Sequence, residues 1–129
     1  EAAMRLESLA SASQDDGWYE MRCKDAIIDP GQLFEQLLAD LRRGGPDAMI
    51  ARRSHRGIAK AFSGLGRRVA DDAGAQTIAL SGGCFQNRLL LTMVAEELGG
   101  FELCGPGPVP VNDGGLAFGQ AMIALAQTG

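Results

Sequence analysis

Two short stretches of this chain hold residue types that could do chemistry. The first is Ser81-Gly82-Gly83-Cys84-Phe85-Gln86-Asn87. Paired glycines let backbone approach a ligand closely, because no Cβ intervenes. The stretch follows the apolar run Thr77-Ile78-Ala79-Leu80 and precedes a helical pattern that includes Leu89, Leu90, Met93, Val94 and Leu98. It therefore reads as the end of a strand and the start of a helix. The first N–H groups of a helix lack partners within it and carry partial positive charge, which favours phosphate or another anion. Asn87 adds an amide donor and acceptor for a ribose or phosphate. The same residues also suit a tight turn with no ligand, and they match neither the Walker A nor the dinucleotide pattern.

The second stretch is Asn112-Asp113-Gly114-Gly115. An Asp just before a helix can be an N-cap, or its carboxylate can face a cleft and bind a hard or borderline cation. One carboxylate is not a metal site. His55 is the single histidine, so a multi-histidine site cannot be completed within this chain. His55 itself lies in the basic run Arg52-Arg53-Ser54-His55-Arg56 on an expected helix and reads as a packing or surface residue. The arginines read as a solvated face or as contacts to the rest of a larger enzyme. Cys84 adjoins the glycine turn but has no base near it in sequence, so no nucleophilic role is assigned to it.

The elements that must position these stretches follow from apolar spacing. Met4, Leu6, Leu9 and Ala10 mark one face of an opening helix, ended by polar Ser11 to Gly17. Trp18 to Met21 and Ala26 to Ile28 are expected strands, and Asp29-Pro30-Gly31 punctuates them. Leu33, Phe34, Leu37, Leu38 and Leu41 define a second helix, closed by Gly44-Gly45-Pro46. A third is expected from Asp47 to about Ala73, with Met49, Ile50, Ile58, Ala59, Phe62, Leu65 and Val69 on a buried stripe and Gly74 at its end. Gly57, Gly64 and Gly66 weaken that helix, at up to about 1 kcal/mol each relative to Ala. Phe101 to Leu103 is a further expected strand, and Leu116, Phe118, Met122, Ile123 and Leu125 mark a last helix. Helices outnumber strands, and a strand–turn–helix–strand unit occupies the second half. That is a mixed α/β pattern.

Composition bounds the reading. The chain has 129 residues, 46% of them hydrophobic and 22% charged, which suits one globular domain spanning 1–129. A net charge of −4 argues against a general nucleic-acid surface, so no DNA partner is expected. The three cysteines, an odd count without a CxxC pair, predict free thiols in a reducing cytoplasm. No apolar run approaches the roughly 20 residues of a membrane span. The opening Glu1-Ala-Ala-Met-Arg-Leu has no initiator Met and is helical in character from the start. It predicts that the chain is a piece of a longer polypeptide.

Four segments, in order along the chain, resemble the HypF carbamoyltransferases of [NiFe] hydrogenase maturation. They are Glu1 to Ala10, Ser54-His-Arg-Gly-Ile-Ala, Thr77 to Leu91, and Val109-Pro-Val-Asn-Asp-Gly-Gly-Leu-Ala-Phe-Gly-Gln-Ala. Cys84 stands where that family usually has a small Val, and Ser54 where it has an aromatic. The resemblance implies the second lobe of an actin/hexokinase/Hsp70-like (ASKHA) nucleotide-binding fold, a C-terminal lobe fragment of a larger enzyme. It implies ATP and carbamoyl phosphate as substrates, a carbamoyl adenylate intermediate, and transfer to the C-terminal cysteine of a HypE-like acceptor. That thiocarboxamide becomes the cyanide ligand of the hydrogenase. By position, Gly82, Gly83, Asn87 and Glu1 would lie at the nucleotide, and Asp113 would bind a divalent metal ion whose other ligands lie outside this chain. The fragment alone is expected to be inactive, because the first lobe and the other modules lie upstream. With the face toward that lobe exposed, a homodimer is expected. Related O-carbamoyl- and threonylcarbamoyl-transferases share the glycine and NDGG pieces more loosely, and a non-catalytic nucleotide-binding or interaction lobe is the alternative of another class.

Overall fold

The computed structural model describes residues 1–105. In chain order the elements are α1 (Ala2–Ser11), β1 (Arg22–Lys24), β2 (Ile27–Asp29), α2 (Gly31–Arg42), α3 (Asp47–Ala73), β3 (Thr77–Ala79), a 3₁₀ turn (Gly83–Gln86), α4 (Arg88–Glu97) and β4 (Glu102–Cys104). β1 and β2 form an antiparallel hairpin, with Cys23 opposite Ile28. β3 and β4 pair in parallel, with Ile78 opposite Leu103, and α4 is the crossover between them. The last expected helix and the Asn112–Gly115 stretch lie outside the described residues. The described part is α/β and rich in helix.

α3 is the spine. It has 27 residues and contacts α1, α2 and α4. Its buried positions are mostly small: Ala51, Ser54, Gly57, Ala59, Ser63 and Ala70. Small side chains let the neighbouring elements come close, and this reverses part of the expected stripe. Phe62 and Val69 are turned outward and more than half exposed, while the small residues beside them face the packed elements. One core cluster joins Ala59 to Met93, Val94 and Leu98 of the α4 region, and a second joins Ile50 to Tyr19 and Leu33. α3 ends where Gly74 takes φ 64°, with Gly74 N–H donating to Asp71 O and Ala75 N–H to Ala70 O. This paired closure is the Schellman arrangement, which needs a left-handed residue and so favours glycine.

The segment from Trp18 to Met21 is not a strand. Tyr19 N–H donates to Arg53 O of α3, so this backbone runs against a helix instead of a sheet. The close approach explains Gly57, since a Cβ there would collide with the Tyr19 carbonyl. The hairpin begins one residue after Met21 and turns on Asp25 and Ala26, both at positive φ (50° and 62°). That is the pattern of a two-residue type I′ turn, usually made by Asn-Gly or Asp-Gly.

The basic run on α3 is not a solvated face. Arg53 pairs with Asp15 (2.7 Å) and Asp40 (3.2 Å), Arg56 with Asp16 (3.4 Å), and Arg52 donates to the Asp15 carbonyl. Tyr19 Oη donates to Asp40 at 2.9 Å, closing a network that joins α2, α3 and the α1–β1 connection. The hydrogen bond from Arg53 lowers the Asp15 pKa below its ordinary 3.8. Burial, and then the hydrogen bond to Asp40, push Tyr19 up to about 12.

Two outcomes follow. Gly57→Ala should lower stability by about 1–3 kcal/mol through overpacking, read from the urea midpoint; an unchanged midpoint would show that the Tyr19 backbone can move aside. Because the folded-state pKa of Asp15 lies below the unfolded value, its stabilisation is present above pH 3.8 and lost as pH falls through the depressed value. Asp15→Asn should therefore flatten the acid limb of a stability–pH curve.

Candidate functional site

β3 ends at Ala79 and delivers the chain to Ser81-Gly82-Gly83. Gly82 adopts φ 108° and ψ 160°, a region essentially reserved for glycine. Among the described residues nothing lies within 4 Å of a Cβ built on Gly82 or Gly83, so the backbone of the turn is open. The 3₁₀ turn is closed by Phe85 N–H to Gly82 O and Asn87 N–H to Cys84 O, each 3.2 Å. These two bonds hold the turn from Gly82 to Asn87, the residue before α4.

A cleft of about 480 Å³ opens beside it. Its walls include Glu7 from α1, Ser54 and His55 from α3, and Gly83, Cys84 and Asn87 from the turn. Asn87 caps α4, its Oδ1 accepting from Leu90 N–H at 2.8 Å. That contact orients the amide, so Nδ2 faces His55 Nε2 at 2.9 Å. His55 Nδ1 lies 2.8 Å from Ala51 O. A carbonyl only accepts, so Nδ1 carries the proton of the ring and Nε2 accepts from Asn87. The arrangement is complementary to one neutral tautomer. His55 is buried and serves as more than a packing residue, because it holds the Asn87 amide in place.

Glu7 supplies the contact that the sequence concealed. Its Oε1 accepts from Arg88 N–H (2.8 Å) and Leu89 N–H (3.3 Å), across 81 and 82 residues of chain. Leu90 N–H goes to Asn87 Oδ1 and Leu91 N–H to Asn87 O. The first four donors of α4 are therefore all paired within the chain. The expectation that they stand open for a phosphate is corrected: a carboxylate already occupies the positive end of the helix, as the helix dipole favours. What the site offers a ligand is the open glycine backbone.

Of the residues singled out from sequence, Gly83 and Asn87 line the cleft and Gly82 leads into it. Glu1 is exposed, sits at the start of α1 and is not among the lining residues; its carbonyl accepts from Arg5 N–H. Asp113 lies outside the described residues. Cys23, Cys84 and Cys104 are free thiols. Among the described residues no group of three or more His, Cys, Asp or Glu is placed to hold a metal, and no helix is long and apolar enough to cross a membrane. Sequence reasoning missed Glu7 and the positioning role of His55. No local signal marks either one, since each acts on a partner far along the chain.

An open glycine turn after a strand, leading through a capped helix to a parallel strand and facing a cleft, is a setting suited to small anionic ligands. Comparison with known proteins makes this specific. Residues 1–120 match the family model described as the carbamoyltransferase Kae1-like domain, second subdomain. Carbamoyltransferase HypF of Rhodobacter capsulatus is 44% identical over 98% of this chain, and the HypF homologue of Cupriavidus necator 36% over 98%. A crystal structure of full-length HypF in the phosphate- and nucleotide-bound form superposes with a TM-score of 0.85 at 35% identity, over 95% of this chain. The crystal structure of T. kodakarensis HypF superposes with a TM-score of 0.82 at 31% identity, over 96% of this chain and 16% of that one. The chain belongs to the HypF carbamoyltransferase family. It spans 16% of the Rhodobacter relative, 35% of the Cupriavidus one and 20% of the nucleotide-bound structure.

The Asn87–His55 pair predicts coupling. Asn87→Ala should cost about 1 kcal/mol, the usual loss for a helix cap, and His55→Leu should leave the Asn87 amide without its acceptor. Combined, the two changes should cost less than their sum by at least about 0.5 kcal/mol. Strict additivity in denaturation experiments would mean that the pair does not act as a unit.

Proposed function

We propose that this chain is the nucleotide-cleft lobe of an ATP-dependent carbamoyltransferase acting in hydrogenase maturation. The observation that carries the proposal is the open Gly82–Gly83 backbone, with Gly83 in the wall of the cleft, in a chain that superposes on a phosphate- and nucleotide-bound relative. In this reading the fold is one lobe of an ASKHA-type pair, and an upstream part of the same polypeptide closes the cleft. Carbamoyl phosphate supplies the carbamoyl group. Hydrolysis of carbamoyl phosphate in an upstream part of the polypeptide gives carbamate and inorganic phosphate; a carbamate oxygen then attacks the α-phosphorus of ATP, pyrophosphate leaves, and carbamoyl adenylate forms. The thiol of the C-terminal cysteine of a HypE-like acceptor then attacks the carbamoyl carbon, and AMP leaves with the bonding pair. The setting of this chemistry is the cytoplasm.

The roles of this chain's own residues follow from their geometry. Gly82 and Gly83 let the phosphates come against backbone without steric hindrance. Asn87 lines the cleft and keeps the turn attached to α4, and Nδ2, which spends one hydrogen on His55, has a second that a ligand could accept. A divalent metal, when bound, neutralises phosphate charge. Asp113 is the one ligand proposed for it here, and among the described residues no group of three or more His, Cys, Asp or Glu is placed to hold a metal. Glu1 is proposed at the edge of the nucleotide. The half-exposed Phe34, Leu38 and Leu41 of α2 would meet the rest of the polypeptide, or a second copy when that is absent. Light scattering that gives a constant monomer mass with rising concentration would remove the dimer.

The test is carbamoyl-phosphate-dependent ATP–pyrophosphate exchange by the full-length protein. Asp113→Ala and Gly82→Ala should each lower exchange by about a hundredfold or more while the proteins remain folded by circular dichroism. Exchange at wild-type level in both would reduce Asp113 to a helix cap and Gly82 to a turn residue. No exchange in the wild type, with the acceptor supplied, would leave a related transferase or a non-catalytic lobe.

A further inference from the structure

We infer that Glu7 is a positioning residue for the glycine turn, joining the two walls of the cleft through the start of α4. This rests on the nucleotide reading above. α1 forms one wall, through Ala3, Met4 and Leu6, and the Gly83–Asn87 turn forms the facing one. Glu7 spans them, with one carboxylate oxygen accepting from Arg88 N–H at 2.8 Å and from Leu89 N–H at 3.3 Å. The turn is closed on itself by the Phe85–Gly82 and Asn87–Cys84 backbone bonds, so it moves as a unit with Arg88. Where Glu7 holds Arg88, it also holds Gly82 and Gly83.

A second tie acts from α3. His55 holds Asn87 through the 2.9 Å bond to Nδ2, and Ala51 holds His55. The start of α4 is thereby gripped from two sides, by α1 through a carboxylate and by α3 through an imidazole. Glu7 has a further consequence that an ordinary cap within α4 would lack. Because it comes from a different helix, its loss frees α1 to separate from the turn and widens the cleft. Its loss also exposes two N–H groups to water at the helix end.

The test uses the full-length protein with Glu7→Ala and Glu7→Gln. Glutamine keeps a carbonyl acceptor for the two N–H groups; alanine keeps none. Amide hydrogen exchange without ligand should rise about tenfold for Ser81–Leu90 in Glu7→Ala, with the middle of α3 unchanged, and much less in Glu7→Gln. Affinity for a non-hydrolysable ATP analogue, by titration calorimetry, should fall about tenfold in Glu7→Ala, the factor that corresponds to about 1.4 kcal/mol. Glutamine should restore most of it. Unchanged exchange at Ser81–Leu90 would overturn the inference, and so would a loosened turn that binds the analogue as well as wild type. Absence of binding in the wild type itself would overturn the nucleotide reading, and is distinguishable because no substitution is needed to see it.

Discussion

The start of α4 is the point on which the site depends. A helix beginning leaves four backbone donors without partners inside the helix, and in a partly buried setting each must be satisfied. Here the N-cap donor, Asn87 N–H, goes to the Cys84 carbonyl, the next two go to the Glu7 carboxylate and the fourth goes to the Asn87 side chain. That requirement draws α1 against α4 and, through His55, locks both onto α3. The glycine turn is then positioned by polar contacts at its far end, which leaves its near end, Gly82 and Gly83, without side chains or neighbours in the way.

The same division between held and open backbone bears on the proposed anion contact in a chain of net charge −4. The positive end of α4 is neutralised internally by Glu7, and Arg53 and Arg56 of α3 are committed to Asp15, Asp16 and Asp40. No described Lys or Arg lines the cleft, so the ligand reading depends on close approach to backbone more than on side-chain charge. The matched stretch is 16% of the Rhodobacter relative and 35% of the Cupriavidus one, so most of each of those chains lies outside it.

Much of the helical framework was legible. α3 was bounded correctly from Asp47 to Ala73, because Pro46 and Gly74 punctuate a long stretch without another breaker strong enough to end it. Gly57 looked like a weakness and is a packing requirement, visible only once Tyr19 is placed against it. The first strand lies at Arg22–Lys24 and not at Trp18–Met21, and the hairpin turn that fixes it is Asp25-Ala26, which carries no glycine or asparagine to announce positive φ. Phe62 and Val69 were read as core from their hydrophobicity, but α3 packs on its small residues, and that preference depends on how near the neighbouring helices lie.

By itself the sequence determined the α/β, helix-rich character of the chain, the strand–turn–helix–strand unit, and the segments from Glu1 to Ala10 and from Thr77 to Leu91 that mark its family. These are local properties: apolar periodicity, glycine and proline punctuation, and short runs of specific residues. Tertiary structure alone decided that Glu7 occupies the donors of α4, that His55 orients Asn87, and that the basic run on α3 is consumed by acidic partners. Each of those is a contact between groups 13 or more positions apart, from Arg53–Asp40 to Glu7–Leu89 at 82. No spacing rule along one element encodes such a pairing. It exists only after packing brings a carboxylate, an imidazole and a helix end within hydrogen-bond distance of one another.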